Sequence, residues 1–158
     1  MKLRLICVGK LSESYLREGA EDFAGRIRHY LPLTVIEIKE EKPGGKQPDP
    51  RIIREREGGR ILEKIPPEAH VIVLDERGSA TRSEELAASL ERHMVNGTTE
   101  LALIIGGAYG LSESVKMRGN RLLSLSSMTF SHQMARLFLL EQIYRSLTIL
   151  RREPYHKS

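Results

Sequence analysis

Leu101-Ala102-Leu103-Ile104-Ile105-Gly106-Gly107-Ala108-Tyr109-Gly110 decides the fold. Its first five residues are apolar without a polar face between them, which predicts a strand covered on both sides, the environment of a central strand in a parallel sheet. The glycines that follow let backbone amides and carbonyls approach a ligand, because no Cβ intervenes. In open α/β sheets the carboxyl end of such a strand is the usual binding crevice. A plain tight turn is the competing reading of Gly106-Gly107.

Working outward, strand and helix patterns alternate. Lys2 to Val8 sets Leu3, Leu5 and Cys7 against Lys2 and Arg4 and ends at Gly9-Lys10, which predicts a strand. Ser12 to Leu31 carries Leu16, Ala20, Phe23, Ile27 and Leu31 at helical spacing, and Pro32 stops it. Leu33 to Lys39, rich in β-branched residues, predicts a second strand. Glu40 to Pro50, with Pro43, Gly44, Gly45 and Pro48 among charges, predicts a mobile surface loop. Arg51 to Ile65 resumes a helical period, weakened at Gly58-Gly59 by about 1 kcal/mol per glycine relative to alanine. His70 to Leu74 predicts a short buried strand and Asp75 to Ser79 a turn. Thr81-Arg82-Ser83-Glu84 matches a capping box opening a helix to about Val95. Beyond the central strand come a short helix from about Ser112 to Arg118, a serine-rich strand from Leu122 to Ser126, and a long helix from about His132 to Arg151. The alternation predicts one α/β domain over residues 1–158, with a mainly parallel sheet flanked by helices.

Composition narrows the function classes. Of 158 residues, 40% are apolar and 29% charged, enough apolar surface to offset the entropy of ordering. Cys7 is the only cysteine, so disulfides and cysteine metal clusters are not expected and a reducing, cytoplasmic setting fits. No run approaches the ~20 apolar residues of a membrane span, and Met1-Lys2-Leu3-Arg4 lacks the features of a signal peptide. Residues 1–100 hold 17 Lys/Arg against 18 Asp/Glu, whereas residues 101–158 hold 8 against 3. A basic C-terminal third favours a polyanionic partner through counterion release, with a solvated basic face as the simpler alternative.

Several catalytic signatures are absent. Gly106 to Gly110 is not the dinucleotide fingerprint, Gly9-Lys10 lacks the earlier glycine of a P-loop, and Gly110-Leu111-Ser112-Glu113-Ser114 lacks the second glycine of a nucleophile elbow. His29, His70, His93, His132 and His156 form no i, i+4 pair, so no metal is expected. Leu125-Ser126-Ser127-Met128-Thr129-Phe130 is too polar for a core strand and too apolar for a free loop, which suggests a ligand-lining segment; a connector with Met128 and Phe130 tucked into the core is the alternative. On the last helix Leu137, Leu139, Leu140, Ile143, Tyr144, Leu147 and Leu150 make a core stripe, while Phe138 and Ile149 fall on another side and suggest a subunit interface.

Four segments resemble the RlmH family closely: Ile104 to Leu111, Leu123 to Gln133, Glu141-Gln142-Ile143-Tyr144-Arg145, and the terminal Tyr155-His156-Lys157. The first strand and the chain length match as well. The resemblance implies a SPOUT fold with a C-terminal trefoil knot, although chains as a rule do not thread loops. It implies a homodimer that binds S-adenosyl-L-methionine and methylates N3 of a pseudouridine in 23S rRNA of the assembled ribosome. The cofactor-binding positions it implies are Leu74, Gly106, Leu125, Ser126, Ser127, Met128, Thr129 and Phe130. The candidate catalytic groups are His156 and Arg145 first, then Tyr155, Lys157 and His132. Ser131 stands where family members commonly carry proline, which puts the rigidity of the turn before His132 in question. A non-catalytic rRNA-binding module and a SPOUT enzyme acting on tRNA are the competing functions.

Overall fold

In chain order the elements are β1 (Lys2–Val8), α1 (Ser14–Arg28), β2 (Leu33–Ile38), α2 (Pro50–Leu62), β3 (His70–Ala80), α3 (Ser83–Val95), β4 (Glu100–Ile105), α4 (Glu113–Arg118), β5 (Arg121–Ser124) and α5 (His132–Leu150). They are taken from a computed structural model that describes residues 1–42, 44–45 and 47–157. The strands form one five-stranded sheet in the order β2-β1-β4-β3-β5, with every strand pairing parallel.

The order explains which helix lies where. The steps β1 to β2 and β3 to β4 run one way along the sheet, and their helices α1 and α3 share one face. The steps β2 to β3 and β4 to β5 run the other way, and α2 and α4 cover the opposite face. Crossovers of a single hand require this assignment. β4 sits inside both layers: Leu101, Leu103 and Ile105 pack with α1, α3 and α5, while Ala102 and Ile104 pack with α2 and α4. A strand buried on both faces reads as a continuous apolar run, as found at 101–105.

α5 is wedged between α1 and α3. Leu139, Leu140, Ile143 and Leu147 are buried as the stripe predicts, and Ser146 and Thr148 are buried as well. Their hydroxyls donate to the Gln142 and Arg145 carbonyls, each at 2.7 Å, so the second buried side carries no unpaired hydroxyl. Phe138 stays partly exposed and its ring meets that of Phe130, with centroids 4.7 Å apart.

Three local expectations are corrected. Asp75 to Ser79 is part of β3, not a turn that ends it: the chain bulges there, Leu74 and Ser79 both facing Leu123, and pairing resumes at Ala80 with Ser124. The bulge keeps turn chemistry, since the Arg77 amide donates to Asp75 Oδ1 at 2.9 Å, but pairing with β5 recaptures the strand. The cap of α3 is one residue later than expected. Arg82 is the N-cap residue, its amide donates to the Glu85 carboxylate at 2.9 Å, and the Thr81 hydroxyl also donates to Glu85. Lastly, Glu41 in the expected 40–50 loop is tied down by Arg56 and Arg60, while Pro43 and Lys46 of that loop lie outside the described residues.

Gly58 and Gly59 differ sharply. A Cβ on Gly58 would stand 2.2 Å from Ser112 Oγ and 3.1 Å from Ser112 Cβ, whereas one on Gly59 would meet nothing within 4 Å. Ser112 is the N-cap of α4, its hydroxyl accepting from the Val115 amide. Gly58→Ala should therefore lower stability by about 1–3 kcal/mol through overpacking and loss of the cap. Gly59→Ala should raise it by about 0.5–1 kcal/mol through helix propensity. Denaturant midpoints of the two variants check the pair, and equal shifts of the same sign would contradict it.

Among the described residues no helix is long and apolar enough to cross a membrane, and no group of three or more His, Cys, Asp or Glu is placed to hold a metal ion.

Candidate functional site

The chain leaves β4 toward one face of the sheet and leaves β3 toward the other, so the connections diverge and open a crevice at their carboxyl ends. The crevice has a volume of about 160 Å³ and draws on three adjacent strands. Leu74 and Asp75 come from β3, Ile105 and Gly106 from the end of β4, and Leu125, Ser126, Met128, Thr129 and Phe130 from the segment after β5. His132 and Ala135 of α5 close one side. Seven of the eight expected cofactor positions therefore line one space; Ser127 is exposed and does not line it.

Local chemistry holds the walls. Ser124 Oγ donates to the Ser126 carbonyl at 2.9 Å, and Ser126 Oγ accepts from the Met128 amide at 3.0 Å, folding residues 124–128 back over the strand end. Ser131 is the N-cap of α5, its hydroxyl accepting from the Met134 amide at 3.2 Å, which ties it to the first turn of that helix. Burial pushes Asp75 up, but the Arg77 amide and the Lys116 ammonium 3.0 Å away outweigh it and hold its carboxyl below the ordinary range. Asp75 is thus ionised and paired with Lys116 at the crevice wall. His132 is pushed down by burial, with Glu40 opposing and Arg136 reinforcing the shift, which favours the neutral imidazole. Burial lifts the Cys7 thiol to about 11, so it serves as core and not as a nucleophile.

A larger groove, about 1100 Å³, shares Leu74, Asp75, Glu76, Gly106 and Thr129 with the crevice. It runs on toward α2, past Arg51, Arg54 and Tyr109.

The remaining candidates gather elsewhere. The Arg145 guanidinium is held by Glu141 one helical turn earlier and lies 4.8 Å from the Tyr155 ring centroid. Tyr155 packs edge-on against Tyr144 at 4.7 Å and donates its hydroxyl to Glu141 at 3.0 Å. His156 sits between Arg145 Nη1 at 3.3 Å and Glu84 Oε1 at 3.2 Å, and Lys157 is exposed. Arg145, Tyr155 and His156 therefore form one polar cluster, joined by Glu141 and Glu84. His132 is not part of it: thirteen residues separate it from Arg145 on α5, about 20 Å along the axis at 1.5 Å per residue.

Several residues at these sites escape a reading of the sequence. Glu141 stands i, i+4 from Arg145, a spacing that signals an ion pair. Glu84 and Asp75 give no such signal, because their partners are distant in sequence. Arg136, almost fully buried, donates to Glu37 Oε2 at 2.7 Å and to the Gly9 carbonyl at 2.5 Å, pinning the start of α5 to the ends of β1 and β2.

Residues 1–156 match the family model described as "Predicted SPOUT methyltransferase". The chain belongs to the SPOUT methyltransferase family. Its full-length relatives include the ribosomal RNA large subunit methyltransferase H of Syntrophotalea carbinolica, 61% identical over 99% of each chain. The protein of the same name from Trichlorobacter lovleyi is 47% identical, again over 99% of each. Among solved structures, a probable methyltransferase from Bordetella pertussis Tohama I superposes with a TM-score of 0.56 at 12% identity, covering 92% of this chain and 96% of that one. At that identity the likeness speaks for the fold, and it agrees with the parallel sheet described above. As a SPOUT methyltransferase, the chain acts on a methyl donor and an acceptor.

Proposed function

We propose that this protein transfers a methyl group from S-adenosyl-L-methionine to N3 of a pseudouridine in large-subunit ribosomal RNA, on assembled ribosomal particles in the cytoplasm. The observation that carries the reading is the crevice itself. Leu74, Gly106 and the 125–130 segment converge at three adjacent strand ends in a chain whose full-length relatives are ribosomal RNA methyltransferases.

The residues present suit that donor. Leu123, Leu125, Met128 and Phe130 offer apolar surface for a purine and a thioether chain. Asp75 and Glu76 offer carboxylates toward a cation. Gly106 supplies bare backbone where a Cβ would crowd Leu111. When bound, the donor supplies a methyl group already activated on a sulfonium, so the protein is left to align the acceptor and shape its charge. N3 becomes a good nucleophile once its proton leaves. A neutral imidazole at His156 would take that proton, and the Arg145 guanidinium and Lys157 ammonium would stabilise the anionic ring. Tyr155 would stack on a base as aromatics do in RNA recognition. Glu141 holds Arg145 and Tyr155 in place for those tasks.

The distance along α5 between the donor crevice and the tail cluster motivates a homodimer in which each chain's tail completes its partner's site. The partly exposed Phe130 and Phe138 pair beside the crevice offers an apolar edge for it. We read residues 1–158 as one SPOUT domain whose C-terminal part carries the trefoil knot.

A small protein offers little surface for reading RNA sequence, so the rRNA loop should be recognised in its ribosomal shape. Purified protein with S-adenosyl-L-methionine should methylate pseudouridine in 50S subunits or whole ribosomes from cells lacking the modification, and naked 23S rRNA poorly. Nucleoside mass spectrometry reads the product. No N3-methylpseudouridine on any of these substrates would refute the activity, and equal rates on naked RNA would refute the dependence on assembly.

A further inference from the structure

Glu57, with Arg136, is one of two buried charged side chains among the described residues for which the chemistry above has no use. It lies on α2, 2% exposed. Its Oε1 accepts the Glu41 amide at 3.0 Å, and its Oε2 has no hydrogen-bond partner among the described residues. A buried unpartnered oxygen costs about 1–3 kcal/mol, so its position calls for a reason.

That position is directly against the glycine turn. A Cβ at Gly107 would stand 3.0 Å from Glu57 Oε2 and 3.0 Å from Val8 Cγ1. The next residue of α2, Gly58, abuts Ser112. Two consecutive residues of one helix thus seat both ends of the 107–112 segment, which is closed on itself by the Gly110 amide donating to the Gly107 carbonyl at 3.0 Å. Gly106, the crevice wall, is the residue immediately before this seat.

We propose that Glu57 is a positioning residue for methyl-donor binding, its buried carboxyl group propping the Gly106-Gly107 backbone at the height that keeps the crevice open. Its surroundings favour the neutral acid over the ionised form. Burial pushes its carboxyl above the ordinary range, with the Glu41 amide opposing, and the carboxylates of Glu40 and Glu41 push it up while Arg60 pulls it down. The residues it meets on β1 and in the glycine turn, Val8 and Gly107, are uncharged. An ionised Oε2 without a donor would draw water beneath the turn and displace it. The sign follows: with the native value raised, the seat is intact at acid pH and is lost as pH rises through that value. Donor affinity should fall in the same direction.

The inference rests on the reading of the crevice as the S-adenosyl-L-methionine site. Its test is calorimetric titration of that compound into the full-length protein, Glu57→Gln and Glu57→Ala, from about pH 5 to about pH 9. The wild-type dissociation constant should rise about threefold or more across the range. Glu57→Gln, neutral throughout, should lose that part of the rise; His132 also lines the crevice, but its contribution is common to both proteins. Glu57→Ala should bind about tenfold more weakly than the wild type at acid pH, about 1.4 kcal/mol, with the gap narrowing as pH rises, raising KM for the donor with little change in kcat. A Glu57→Gln profile that keeps the wild-type slope overturns the proposal, as does a folded Glu57→Ala protein of wild-type affinity at acid pH. Should Glu57→Ala not fold, the Glu57→Gln profile decides. Wild-type protein that fails to bind S-adenosyl-L-methionine would sink the crevice assignment itself, whereas variants that match a binding wild type would sink only the role of Glu57.

Discussion

Truncation before Tyr155 is expected to abolish methyl transfer while leaving donor affinity nearly unchanged. The segment removed carries Tyr155, His156 and Lys157, none of which lines the donor crevice. Its structural contribution is modest. One edge-on aromatic contact with Tyr144 and one stacked guanidinium are together worth about 1–2 kcal/mol, small against the stability of a typical domain. On the proposed reading the chemical contribution is large, because the group assigned to take the acceptor's proton, a cation and a stacking surface all leave together. His156→Ala alone should lower turnover by about 100-fold and barely alter donor binding. If His156 is the base, that defect should shrink as pH rises and the substrate ionises unaided; a defect independent of pH would leave it a positioning role. The contact between His156 and Glu84 bears on the same measurement. Glu84 is held below the ordinary carboxylate range by its own backbone amide and by His156, so it is ionised wherever the enzyme is assayed and keeps the imidazole oriented. A truncated protein that methylates pseudouridine at the normal rate would refute the assignment of the tail.

The parts of the fold that local pattern controls were legible in the sequence, and those that distant pairing controls were not. Residues 101–105 announce a central strand because burial on two faces removes every polar position, and α5 announces its core stripe by spacing. The Asp75 to Ser79 bulge looks like a turn because its residues are turn formers; only β5, more than forty positions away, pulls Ser79 and Ala80 back into the sheet. Gly58 and Gly59 look equally weakening, since nothing in the local sequence says that Ser112 rests on one and empty space on the other. The crevice was visible as two separate signals, a glycine turn and an apolar serine-rich segment, that the sheet order brings together. The charged groups beside it, Asp75 with Lys116 and Glu57 beneath Gly107, were invisible because each is placed by a partner from another element.

Gly106→Val is expected to remove donor binding, by about 100-fold or more, from a protein that still folds. A Cβ at Gly106 would already stand 2.8 Å from Leu111 Cγ and 3.0 Å from the Gly110 carbonyl carbon. Leu111 is part of the core beneath, so the added side chain has to be relieved on the crevice side or by displacing the 107–110 turn. Either response fills or tilts a wall of a space of only about 160 Å³. The stability cost is that of overpacking at one site, about 1–3 kcal/mol, which circular dichroism and a denaturant midpoint would register as a folded, weakened protein. Gly106→Ala, with less to accommodate, should fall between. Calorimetry that finds undiminished affinity in a folded Gly106→Val protein would remove Gly106 from the donor site. The variant also tests the shared site when mixed with the tail truncation, since each protein lacks what the other retains. If subunits exchange freely, half of the dimers are mixed and each mixed dimer has one complete site, so an equimolar mixture should recover about one quarter of wild-type activity. Recovery requires that the donor crevice of one chain work with the tail of another; two inactive proteins that stay inactive after demonstrated subunit exchange would place both halves of the chemistry within a single chain.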